Sequence, residues 1–101
     1  MAFLQTNKDL ISTGTKEFNA LLKQQVFNDL LVSEEAMVTV VDDWINFYIN
    51  YYRQQVTGEQ EERDRALQQL QQELNTLANN FLGKYRAFLK SQEHQNHPPS
   101  F

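Results

Sequence analysis

The feature that most limits the possible folds of this chain is its shortage of turn-forming residues. Its 101 residues include three glycines and two prolines, and both prolines lie in the last four positions. An all-β sandwich or barrel needs a turn signal about every 8–12 residues. Hydrophobic residues make up 41% of the chain, which is enough to fold around a core. The sequence therefore predicts one all-α domain.

The first third of the chain predicts an amphipathic helix that follows a short arm. From about Thr15 to Leu31, apolar side chains recur at spacings of three and four residues. Thr15 is a suitable N-cap, and the run from Ser12 to Gly14 is expected to interrupt any earlier helical turn. We therefore predict an N-terminal arm over residues 1–14 and a first helix from about residue 15.

A second helix is predicted from about Glu34 to Gln55, with Ser33 as its N-cap. Its polar side chains share one stripe roughly 100° wide, and the remaining surface is apolar or aromatic. The side chains directly opposite the stripe are expected in the protomer core, namely Met37, Val41, Trp44, Tyr48 and Tyr52. One apolar flank carries Val38, Ile45 and Ile49, and the other carries Phe47 and Tyr51.

The last long apolar pattern predicts a third helix from about Glu59 to Lys90. Its leucines and aromatic residues form one narrow seam, so this helix buries a single face. Gly58 precedes it, either in a turn or in a bend of one long helix. Residues 91–101 have no periodic apolar pattern and are predicted to form a disordered tail. An antiparallel three-helix bundle over residues 15–90 is the resulting fold.

Several classes of function are disfavoured by residue content. The chain has no cysteine, and its two histidines, His94 and His97, lie near the C-terminus, so we predict no catalytic, cofactor or metal site. A net charge of −4 disfavours nucleic-acid binding. No apolar stretch is long enough to cross a bilayer or to act as a signal peptide, so we predict a cytoplasmic protein without membrane insertion.

The apolar surface of the second helix is the sequence's main indication of function. It spans roughly 260°, more than two partner helices are expected to cover, so part of one flank is predicted to bind protein. The predicted interaction surface comprises Val38, Ile45, Ile49, Phe47 and Tyr51. The predicted function is that of a non-enzymatic adaptor, assembly factor or regulator, acting on a protein partner and forming a homodimer. The alternative is a bundle that binds a small molecule or chromophore, or an all-α enzyme, with a pocket lined by Trp44, Tyr48 and Tyr52.

Overall fold

A computed structural model describes the backbone of residues 6–96 and the side chains of residues 6–92. Four helices and no strand occur within that range, which confirms the all-α class. In chain order they are α1 (Asn7–Lys23), α2 (Phe27–Leu30), α3 (Glu34–Arg53) and α4 (Gln60–Asn96). Three of them are long, and α2 is a single turn.

The first helix begins well before the predicted position. Thr6 is its N-cap, and the Thr6 hydroxyl oxygen accepts a hydrogen bond from the Asp9 backbone N–H at 3.1 Å. The predicted start at Thr15 is therefore wrong, and residues 7–14 are helical. Gly14, which was expected to interrupt the helix, is buried inside α1. Residues 1–5 of the predicted arm lie outside the described residues.

The predicted first helix also ends early, which adds a fourth helix to the bundle. α1 stops at Lys23, and the chain re-enters a helix at Phe27. The Phe27 ring packs on α4, with ring centroids 5.5 Å from those of Phe81 and Tyr85. The Phe27 side chain does not lie on the apolar stripe of α1. The break between α1 and α2 allows its ring to pack on α4.

Each long helix runs antiparallel to the long helix that precedes it in the chain. The last of them, α4, forms the centre of the bundle. The side chain of Asn7 makes two hydrogen bonds with the backbone of Thr57, so the start of α1 lies beside the end of α3. An ion pair between Glu34 and Arg86 places the start of α3 beside the far part of α4. Both α1 and α3 pack mainly on α4, and a smaller contact joins α1 to α3.

The seam of α4 agrees with the sequence prediction, and the conformation of Gly58 decides between the two alternatives for the start of this helix. Gly58 has φ = 103°, a left-handed conformation that favours glycine, so a turn separates α3 from α4 and the alternative of one bent helix is wrong. On α4, Leu70, Leu74 and Tyr85 are almost fully buried. The helix continues to Asn96, beyond the predicted end at Lys90. Residues 97–101 of the predicted tail, with His97, lie outside the described residues, as does the side chain of His94.

Candidate protein-interaction surface

The five residues of the predicted interaction surface divide into a buried and an exposed group. Ile45 and Ile49 are 4% and 8% exposed, because their flank of α3 packs against the rest of the bundle. They are therefore core residues of the bundle and do not contribute to an exposed interaction surface. Val38, Phe47 and Tyr51 are 37%, 68% and 53% exposed. The flank that carries Phe47 and Tyr51 is the one that this protomer leaves uncovered.

Phe47 and Tyr51 form what we call the aromatic patch. They lie one turn apart on α3, so their side chains point about 40° apart around the helix axis. The Phe47 ring meets Tyr48 edge-on at 5.9 Å between centroids, and the Tyr51 ring meets Tyr52 in the same way at 5.1 Å. The buried side of each exposed ring thus rests on another ring. This arrangement presents two large apolar surfaces to solvent with restricted side-chain freedom.

The contact between α1 and α3 holds Tyr48 and Tyr52, the two tyrosines against which the aromatic patch packs. Tyr48 packs edge-on against the fully buried ring of Phe18, at 5.5 Å between centroids. The Tyr52 hydroxyl donates a hydrogen bond to Glu17 Oε2 at 2.9 Å. Gly14 faces the Tyr52 ring so closely that a Cβ atom built there would lie 2.9 Å from Tyr52 Cε2. Residues of α1 therefore determine where the aromatic side chains of α3 lie.

Burial and the nearby carboxylate of Glu17 raise the pKa values of the two supporting tyrosines. Desolvation raises the pKa of Tyr52 far above 10, and its hydrogen bond to Glu17 adds to the effect. Desolvation also raises the pKa of Tyr48, with a smaller contribution from the charge of Glu17. The exposed polar residues on the same side of α3, Asp43 and Gln54 among them, border the patch with hydrogen-bonding groups.

A second exposed apolar segment lies between α1 and α3, and the sequence pattern missed it. Val26, Leu31 and Val32 are 53%, 67% and 38% exposed. The buried Tyr85 hydroxyl holds this segment, since it donates to the Val32 carbonyl at 2.7 Å and accepts from the Val32 N–H at 2.9 Å. The position of Phe27 and Leu31 off the first apolar stripe was the only sequence signal for a break here.

The three residues of the predicted ligand pocket contact different neighbours. The Trp44 ring lies 6.3 Å from the Phe81 ring, Tyr48 packs on Phe18, and Tyr52 bonds to Glu17. Their side chains thus fill the space between the helices. Within the part of the chain that the structure describes, no group of three or more His, Cys, Asp or Glu side chains could hold a metal ion. No helix of residues 6–96 has the length and apolar character to span a membrane.

Comparison with known proteins identifies a matching family model and relatives that share one name. A family model described as alpha-haemoglobin stabilising protein matches residues 5–91. A human relative named alpha-hemoglobin-stabilizing protein is 76% identical over 99 residues, which cover 98% of this chain and 97% of the relative. A bovine relative of the same name is 69% identical over 91 residues, covering 90% of this chain and 99% of the relative. A mouse relative, also of that name, is 65% identical over 100 residues, covering 99% and 94%.

These names describe the stabilisation of another protein and no enzymatic activity. They agree with the non-enzymatic protein-interaction role that the sequence predicts. The family model covers most of the chain, and the relatives match nearly the full length of both sequences. The chain belongs to the alpha-haemoglobin stabilising protein family.

Proposed function

We propose that this chain binds α-haemoglobin through the aromatic patch and stabilises it by covering part of its surface. The partner is suggested by the shared name of the human, bovine and mouse relatives. The observation that carries the proposal is the exposure of two adjacent aromatic side chains, Phe47 at 68% and Tyr51 at 53%. Exposed apolar groups of this size, bordered by polar residues, are typical of protein-binding surfaces.

The chemistry of the patch suits a hetero-protein interface. Phe47 supplies apolar area that loses contact with water on binding, and Tyr51 adds a ring with a hydroxyl that can remain hydrated. Aromatic residues near the centre of an interface contribute most of its binding energy, and a polar rim excludes water around them. Asp43 and Gln54 are exposed on this side of α3 and would form part of that rim.

The proposal is tested by calorimetric titration of isolated α-haemoglobin into wild-type chain, Phe47→Ala and Tyr51→Ala. We expect each substitution to weaken binding by about 2 kcal/mol, or about 30-fold in Kd, as for an interface hot spot. Val38→Ala is the matched control, because Val38 is also an exposed apolar residue of α3 but points roughly 180° from Phe47. Its affinity should equal that of wild type.

Two results would contradict this assignment. Equal affinity of all four proteins would remove the patch from the interface, and a larger loss in Val38→Ala would move the interface to the opposite flank. Thermal melts of the free variants are the folding control, since substitutions at exposed positions change stability by only about 0.5 kcal/mol. The rate at which isolated α-haemoglobin precipitates provides the second readout, because stabilisation requires that wild-type chain slow it and Phe47→Ala slow it less.

A homodimer formed through the aromatic patch is the second candidate. The same exposure of Phe47 and Tyr51 supports it, because two copies could cover their patches mutually around a twofold axis. Such a dimer would compete with α-haemoglobin for one surface. The dimer would then be the resting form of the chain, and the complex with α-haemoglobin its working form.

A further inference from the structure

A groove between the end of α3 and the first turns of α4 lies on the side of the molecule away from the aromatic patch. It has a volume of about 420 Å³, and Ile49, Val56 and Leu67 form its apolar floor. Two guanidinium groups, those of Arg53 and Arg63, line the same groove. Ile49 and Phe47 point about 160° apart around α3, so the groove and the aromatic patch lie on nearly opposite sides of this helix.

The four arginines of this chain differ in their ion pairing, and the difference concerns the groove. Arg65 is paired with Glu61, and Arg86 is paired with Glu34. Among the described residues, Arg53 and Arg63 have no carboxylate within ion-pairing distance, although the chain as a whole carries a net charge of −4. The two arginines without a carboxylate partner are thus the two that line the groove.

Arg63 is held in place and yet lacks one acceptor. The side-chain N–H of Gln60 donates a hydrogen bond to Asp64 Oδ1 at 2.8 Å. The side-chain oxygen of Gln60 accepts a hydrogen bond from Arg63 Nη2 at 3.0 Å. Arg63 Nε is buried and has no hydrogen-bond acceptor within the described part of the chain. A buried donor without an acceptor costs free energy.

We propose that this groove binds a small amphipathic monocarboxylate. The planar guanidinium groups of Arg53 and Arg63 match the two oxygens of a carboxylate. The apolar floor accommodates a short hydrocarbon tail. Asp64 also lines the groove, so two positive charges and one negative charge face the ligand. The lining therefore has a net charge of +1, which a single carboxylate neutralises.

The test is an NMR titration of the full chain with octanoate, observed through backbone amides and the Arg63 Nε–H signal. We expect saturable shifts confined to the groove residues. Octanol, which lacks the charge, and acetate, which lacks the tail, should each bind at least about tenfold more weakly. Arg53→Gln and Arg63→Gln should weaken octanoate binding by a similar factor. Arg65→Gln is the matched control, because its guanidinium is paired with Glu61 and points about 160° away from Arg63 around α4.

Several outcomes would overturn the proposal. They are the absence of saturable shifts, an equal response to octanol, or an equal loss of octanoate binding in Arg65→Gln. Arg53 is exposed, so Arg53→Gln keeps the test decisive even if Arg63→Gln perturbs the fold. If the groove variants lose affinity for α-haemoglobin but respond to octanoate as wild type does, an acidic side chain of a protein partner occupies the groove and the proposal fails. Affinity of the groove for octanoate does not depend on the aromatic patch, so either proposal can fail alone.

Discussion

Gly14 and Gly83 both lie inside helices, but their surroundings differ completely. A Cβ atom on Gly14 would lie 2.9 Å from Tyr52 Cε2 and 3.1 Å from Leu70 Cδ1, whereas one on Gly83 would have no neighbour within 4 Å. The Tyr52 ring cannot withdraw easily, because it is 2% exposed and its hydroxyl is bonded to Glu17. Gly14 therefore permits the close approach of α1 to α3, and Gly83 has no such role.

We expect substitution by alanine at the two glycines to have opposite effects on the free energy of unfolding. Gly83→Ala should raise the free energy of unfolding by about 0.5–1 kcal/mol, because alanine favours the helix and restricts the unfolded chain. Gly14→Ala gains the same helix preference but must displace the Tyr52 ring, which costs about 1–3 kcal/mol. Urea unfolding of both variants measures the difference. Equal stabilisation by the two substitutions would show that the contact with Tyr52 relaxes freely.

Because the pKa of Tyr52 is raised, we expect the free energy of unfolding to depend on pH in the alkaline range. Its pKa is raised in the folded chain above the unfolded value of 10.0, so the hydroxyl loses its proton more easily after unfolding. Its contribution to stability is complete below pH 10 and decreases as the pH rises above that value. Tyr52→Phe should be less stable than wild type by about 1 kcal/mol at pH 7, because it lacks the hydrogen bond to Glu17.

Unfolding experiments across the alkaline range measure this effect. The difference between wild type and Tyr52→Phe should shrink above about pH 10, where unfolding of wild type is favoured by release of the tyrosine proton. The lysines of the two proteins are the same, so their titration cancels in the comparison. A constant difference up to high pH would contradict the raised pKa of Tyr52.

At the scale of elements, α4 organises both of its neighbours. Its seam packs against α1 and α3, and Tyr85 also fixes the segment between those two helices through both polar groups of Val32. The Phe27 ring of α2 contacts Tyr85 and Phe88 at 5.5 and 5.4 Å between centroids. The connection from α1 to α3 therefore depends more on α4 than on its own short helix.

We expect removal of the Tyr85 hydroxyl to destabilise residues 26–33 more than the rest of the chain. Tyr85→Phe keeps the buried ring but leaves the N–H and carbonyl of Val32 without this partner, which should cost about 1–3 kcal/mol. Amide hydrogen exchange should accelerate over residues 26–33 more than over the core of α4. Tyr51→Phe is the control, since Tyr51 is exposed and its loss of a hydroxyl should change neither quantity. Uniform acceleration along the chain would refute the local role of Tyr85.

At the scale of the whole molecule, the uncovered flank of α3 is the surface at which we propose that partners bind. Sedimentation of the isolated chain at increasing concentration should reveal a reversible dimer, and Phe47→Ala should shift it toward the monomer. Addition of α-haemoglobin should dissociate the dimer, because both interfaces would use the aromatic patch. A wild-type chain that stays monomeric at all concentrations would exclude the homodimer and leave the hetero-complex unaffected.

Several local features of the second half of this chain followed from the sequence because they depend on short-range interactions. Ser33 caps α3 as predicted, and its side chain accepts from the Ala36 N–H at 3.1 Å. Gly58 adopts the left-handed turn, and the periodic apolar residues of α4 face the core. Capping, glycine conformation and helical periodicity involve neighbours within a few residues, so the sequence itself expresses them.

Only the tertiary structure decided which part of α3 remains exposed. Helical periodicity marks the apolar sides of α3, but it does not tell which of them α1 and α4 will cover. Packing on α4 buries Ile45 and Ile49 and leaves Phe47 and Tyr51 in solvent. The break after Lys23 has the same kind of cause, because the burial of Phe27 against α4 involves residues more than 50 positions apart. Such choices depend on the fit between distant side chains, which no local pattern contains.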